Sequence, residues 1–182
     1  YIMKNQICII YLFLCLIALN FASDINTSSS NNLSSQIDQE LIESYNLAKS
    51  YRANKEFDKC LSILFEIKDN YLKANFDIAS IFYQDYKSYD IALHFFNTMI
   101  QKYESSNDQA FLISNEDIYK NAIFFSAYIL VNDLELYTSG VSMYQKFIEN
   151  FPNDELADDA THEVKTLNSE LNQIELLKNT LK

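Results

Sequence analysis

Phe76-Asp77-Ile78-Ala79-Ser80-Ile81-Phe82-Tyr83-Gln84-Asp85-Tyr86-Lys87-Ser88-Tyr89-Asp90-Ile91-Ala92-Leu93-His94-Phe95-Phe96-Asn97-Thr98-Met99-Ile100 is the stretch that decides the fold class. Its apolar residues fall into two blocks. Phe76, Ala79, Ile81, Phe82 and Tyr83 form the first; Ala92, Phe95, Phe96, Met99 and Ile100 form the second. Steps of three and four place each block on one face of a helix, and strict period-two alternation is absent. The stretch therefore predicts a helix, a short polar turn and a second helix. Outward from it the pattern continues. Leu41, Tyr45, Ala48 and Tyr51 precede it, then Leu61, Leu64, Phe65 and Ile67 beyond the polar run Arg52 to Asp58. Ile118 to Val131 and Val141 to Phe151 follow. The 182 residues include one Gly and one Pro, so folds that need glycine turns or Gly-rich phosphate loops are excluded. The expectation is an all-α chain of about seven helices.

Aligning the helices by their small residues exposes a repeat. Cys60, Ala92 and Gly140 take one equivalent place. Four residues later stand Leu64, Phe96 and Tyr144, and seven later Ile67, Met99 and Phe147. Nine before the small place are Tyr51, Tyr83 and Val131; twelve before, Ala48, Ser80 and Tyr128; thirteen before, Leu47, Ala79 and Ala127. The first interval is 32 residues and the second 48, with Tyr103 to Glu116 reading as an insertion. The pattern resembles the tetratricopeptide repeat, a helix–turn–helix unit of about 34 residues. Phe76 and Phe124 match that family's bulky opening residue, and Pro152 its closing Pro. The first two repeats lack the Pro, Ser44 stands at the first bulky place, and Tyr128 fills a usually small one. The resemblance implies a right-handed solenoid of about three units over residues 37–153. An unrelated helical bundle with chance spacing is the alternative. Tyr144-x-x-Phe147-Ile148-x-x-Phe151-Pro152-Asn153, followed by Ala157-Asp158-Asp159-Ala160, is similar to repeats of two bacterial envelope families. These are the periplasmic coordinator of the Tol–Pal system and the repeat lipoprotein of the outer-membrane barrel-assembly machinery.

Four segments follow from composition. Met3-Lys4 and an uncharged run from Ile7 to Leu19 lead to Ala22-Ser23, the pattern of a signal peptide over residues 1–22. That run is shorter than the about 20 apolar residues a membrane span needs. Residues 23–36 are a Ser/Asn-rich tract with little to bury, expected to be a disordered linker. The helical repeats occupy residues 37–153. Residues 154–182 read as one amphipathic helix with an apolar stripe of Leu156, Ala160, Val164, Leu167, Leu171, Ile174, Leu177 and Leu181. The resemblance makes it the cap over the last repeat, and its stripe is also a candidate for self-association. Export to the periplasm or outer membrane follows from the leader, or secretion if the host has one membrane.

The charge excludes other roles. Fourteen Lys+Arg stand against 25 Asp+Glu, a net −11, which disfavours nucleic acid and anionic membrane surfaces. Of Cys8, Cys15 and Cys60, only Cys60 lies beyond the leader, so no internal disulfide and no zinc spacing is expected. His94 stands alone among apolar residues, and His162 lies near Asp158 and Asp159 with no second His nearby. No catalytic residue, metal site or cofactor is assigned. The resemblance instead places Tyr45, Lys49 and Arg52, then Asp77, Ile81 and Gln84, then Phe125, Ile129 and Asn132 along a concave groove. That groove suits a partner peptide or helix, with Tyr45, Ile81, Phe125 and Ile129 as a half-exposed strip and Lys49 and Arg52 holding an acidic group. The alternative is that those four apolar residues are core. The function expected is a non-enzymatic envelope adaptor; the competing class is an accessory subunit or enzyme of cell-wall metabolism.

Overall fold

The computed structural model describes residues 38–180, and these are all-helical, with no strand among them. The expected signal peptide and linker fall outside the described residues. The chain divides into two compact units, one ending at Asn46 and the other starting at Leu47. In the first, residues 38–46 are helical and mostly exposed. Helix α1 covers residues 38–53. It is followed by α2 (Phe57–Ile67), α3 (Leu72–Gln84), α4 (Tyr89–Glu104), α5 (Gln109–Asn132), α6 (Tyr137–Asn150) and α7 (Ala157–Thr180).

From α2 onward each helix packs on the next in sequence, and α3 also packs on α5. One core cluster runs from Leu72 to Leu167 and holds Ala79, Ala92, Phe96, Met99, Ala127, Tyr144 and Phe147. Each such Phe or Met contributes about 1.5–3 kcal/mol by leaving water. The small residues are the points of close approach. Cys60, Ala92 and Gly140 are all buried. A Cβ on Gly140 would overlap Val131 Cγ2 and meet the Ala127 carbonyl oxygen at 3.4 Å. Those are the residues nine and thirteen before it, so the alignment describes real contacts in the third pair.

In the first pair the alignment is corrected by one residue. Ala48, Ala79 and Ala127 are each fully buried, whereas Leu47 is about half exposed. Ala48 thus takes the place assigned to Leu47, and Tyr45, not Ser44, stands three residues before it like Phe76 and Phe124. The turns show why. Lys55, Lys87 and Glu135 have positive φ (62°, 55° and 54°), each five residues before the small residue. Seven residues separate Ala48 from Lys55, but eight separate Ala79 from Lys87 and Ala127 from Glu135. After α1, Glu56 N–H donates to Tyr51 O and Lys55 N–H to Arg52 O, both at 2.9 Å, a Schellman closure. After α3 and α5 the reach is longer: Ser88 N–H to Phe82 O at 2.9 Å, Leu136 N–H to Leu130 O at 2.7 Å.

The stretch Tyr103 to Glu116, read as an insertion, is mostly helical. It supplies the end of α4, a four-residue link and the first turns of α5, which is 24 residues long against 13 for α3. The Asp108 side chain starts that extension, accepting from Ala110 N–H (2.9 Å) and Phe111 N–H (3.3 Å). Helix α7 starts at Ala157, because Asp154 is used one step earlier. It accepts from Leu156 N–H at 3.0 Å and pairs with Lys120 at 2.7 Å. Only Ala157, Ala160 and Leu167 of α7 are buried, while Ile174 and Leu177 are exposed. The stripe therefore covers α6 with its first half alone.

Candidate functional site

The proposed groove residues do not form one open strip. Ile81 and Ile129 are 0 % exposed, and their assignment to a half-exposed strip is corrected: they are core. The reason is position in the layer. Helix α3 touches α2, α4 and α5, so Ile78, Ala79, Ser80 and Ile81 are buried in succession around its circumference. Helix α5 lies between α4 and α6 and buries Ser126, Ala127, Ile129, Leu130 and Val131 in the same way. A single-helix apolar stripe cannot be told from an all-round one by looking at one position per turn.

Arg52 is already engaged within the chain. Its Nη1 donates to Asp77 Oδ1 at 3.3 Å and its Nη2 to Gln84 Oε1 at 3.2 Å. The structure therefore brings together three residues of the expected groove, but it uses them on one another. The guanidinium already has an acidic partner within the chain, and an acidic ligand would compete with Asp77. Lys49 is exposed on α1. Tyr45 is half-buried and belongs to the unit that ends at Asn46.

Phe125 and Asn132 remain on the surface. With Tyr128 they form one exposed face of α5 at spacings of three and four. Phe125 is 38 % and Tyr128 41 % exposed. Phe125 is anchored from below: its ring stacks on Phe96 (6.1 Å between centroids, 14°) and meets Phe76 edge-on at 6.3 Å. Asn132 Nδ2 donates to Tyr128 O at 3.1 Å, inside its own helix. The exposure of Tyr128 also explains how a bulky side chain fits a place expected to be small: it projects outward rather than between paired helices. On α3 the equivalent places hold Asp77 and the buried Ser80, so the aromatic face belongs to α5 alone.

Sequence reasoning missed a second aromatic series. Phe57, Tyr86, Phe82, Phe95 and Phe65 are joined by successive ring contacts of 6.2, 5.5, 6.2 and 5.7 Å. Phe65, at one end, and Tyr86, next to the other, are partly exposed. Its signal was the aromatic surplus, 13 Tyr and 13 Phe, beyond what the small-residue face requires.

Chemistry is sparse. Burial pushes the Cys60 thiol above its ordinary value, which keeps it unreactive. Among the described residues, no group of three or more His, Cys, Asp and Glu could hold a metal ion. His162, Asp158 and Asp159 are all exposed, and His94 is exposed beside Phe95 at 5.3 Å. No described helix is long and apolar enough to cross a membrane. No protein-family model and no curated protein matches the chain.

Proposed function

We propose that this chain is a non-enzymatic adaptor: a right-handed, tetratricopeptide-like solenoid of about three units that holds a segment of a partner protein. Neighbour-on-neighbour packing, the α3–α5 contact and three turns that each set a left-handed residue five places before a buried small one support the repeat reading. The observation that carries the binding role is the face of α5. Two large aromatic side chains, Phe125 and Tyr128, are left about 40 % exposed side by side on the half of α5 that is otherwise largely buried, Tyr119 to Val131. Aromatic surface held rigid from below and open above is the composition of an interaction anchor. The reading keeps Phe125, Asn132, Gln84 and Lys49 of the expected groove and adds Tyr128. It places the adaptor in the cell envelope on two sequence features, the leader-like run Ile7–Leu19 and the resemblance of residues 144–160 to envelope repeats.

The test is cross-linked capture from the native host with the wild-type chain and Phe125→Ala. The expected result is a defined partner whose affinity falls by about 1–3 kcal/mol with Phe125→Ala, at unchanged helicity. Capture that is indifferent to Phe125→Ala would overturn the surface assignment, and hydrolase activity in the purified chain would overturn the non-enzymatic reading.

A further inference from the structure

The outer half of α7 carries apolar side chains without cover. Leu171 is half-buried, and Ile174 and Leu177 on the same stripe are 45 % and 62 % exposed. Leu171 also lines a shallow hollow with Leu136 and Tyr137 at the start of α6, both of them exposed. Large apolar side chains grouped in this way mark a contact surface. The order of residues says what covers it. Leu171 and Leu177 stand three places either side of Ile174. Glu170 and Lys178 stand four places either side, with opposite charges. Both are exposed, and neither is ion-paired among the described residues.

We propose that α7 pairs with α7 of a second copy of this chain, antiparallel, about a two-fold axis at Ile174. A two-fold contact is self-complementary: where residue i meets residue j, j meets i. With Ile174 on the axis, Leu171 comes level with Leu177 of the second copy and Glu170 level with its Lys178, each of them twice. Other pairings lack this match. An antiparallel pair centred between Leu171 and Ile174 sets Glu170 level with Glu175, and an in-register parallel pair sets each charge against its own kind. Leu167, buried within its own chain, ends the shared stripe on the inner side. Leu177 of the second copy then faces the hollow at Leu136, Tyr137 and Leu171. The overlap is about two helical turns long, so the dimer is weak and depends on concentration. It uses none of Phe125, Tyr128 and Asn132 and stands independently of the adaptor reading.

The experiment is sedimentation equilibrium of the full chain over about a hundredfold range of concentration. The expected result is a reversible monomer–dimer equilibrium. Ile174→Asp, at an exposed position, sets two carboxylates on the axis and should leave monomer throughout, at unchanged helicity. Glu170→Lys and Lys178→Glu should each weaken the dimer by about tenfold, and the double exchange should restore it to within about threefold of the wild type. Only a contact between these two positions on different copies gives that rescue, so the double exchange reads the antiparallel register. Monomer at every concentration, a trimer or larger species, a dimer indifferent to Ile174→Asp, or a double exchange no tighter than the single variants would overturn the proposal. A dimer broken by Phe125→Ala and not by Ile174→Asp would overturn it by moving the second copy to α5.

Discussion

The turn that closes α1 spends one residue fewer than the turns that close α3 and α5, yet all three deliver a buried small residue five places after a left-handed one. The comparison teaches what holds the repeat together. Pairing is fixed by close approach of small side chains, not by residue count, so a turn can lose a residue and the helix before it simply slides. A second difference accompanies the first. The buried residues of α2, Cys60, Leu61, Leu64 and Ile67, lie outside the cluster that runs from Leu72 to Leu167. The first pair has the same logic as the others and a smaller share of the core.

The largest expected effect tests that share. Phe96→Ala should lower stability by about 3–5 kcal/mol and unfold the chain as a unit, since Phe96 is central to the main cluster. Leu64→Ala, at the equivalent place in α2, should cost about 2–3 kcal/mol and open α2 first. Denaturant melts with native-state hydrogen exchange read both, and equal, global opening in the two variants would erase the distinction. Next in size, Cys60→Leu and Ala92→Leu should each destabilise by about 1–3 kcal/mol through overpacking. A neutral result at Cys60 alone would mean that the sliding of α1 has left room there.

The third prediction separates the pairs by pH. The place taken by Leu64 and Phe96 holds Tyr144 in the third pair, and burial pushes its phenol up to about 12. Unfolded tyrosine ionises near 10. The folded state therefore keeps its full advantage below pH 10 and loses it as pH rises from 10 towards 12. Burial and the neighbouring Glu104, which accepts a 2.7 Å hydrogen bond from the Tyr119 hydroxyl, raise Tyr119 in the same direction. Alkaline unfolding should start at α5 and α6, and Tyr144→Phe should shift it to higher pH. Urea midpoints at pH 8 and pH 11 measure this; an unchanged difference between the two would reject it. The smallest effect concerns the turns themselves. Lys55→Gly, Lys87→Gly and Glu135→Gly should each stabilise by up to about 1 kcal/mol, because glycine adopts the left-handed conformation without its Cβ penalty. Thermal melts in which any of them is destabilising would show that the side chain there does something beyond turning.

The helices and the packing face were legible because Ala, Cys and Gly recur at helical spacing among bulky residues. Gly140 against Val131 and Ala127 is that reading realised. The slide of α1 was not legible, because no glycine marks the turn: Lys55 takes a conformation that the sequence does not advertise. The groove was legible in part. Phe125 and Asn132 are on the surface as expected, and Asp77, Gln84 and Arg52 do converge, although on one another. Ile81 and Ile129 misled because a helix with neighbours on several sides buries positions that a helix with one neighbour leaves open. The insertion was legible from the longer second interval but its form was not: Asp108 caps those residues into about three more turns of α5.

Helix α7 shows what serial packing means at its edge. From residue 172 to residue 180 its backbone has no tertiary cover, and only the part up to Leu167 is buried against the rest. A protease can engage that outer half without disturbing the core. Unwinding carried from there towards α6 would meet resistance at Leu167, so the same helix offers an easy grip and a hard stop about one and a half helical turns apart.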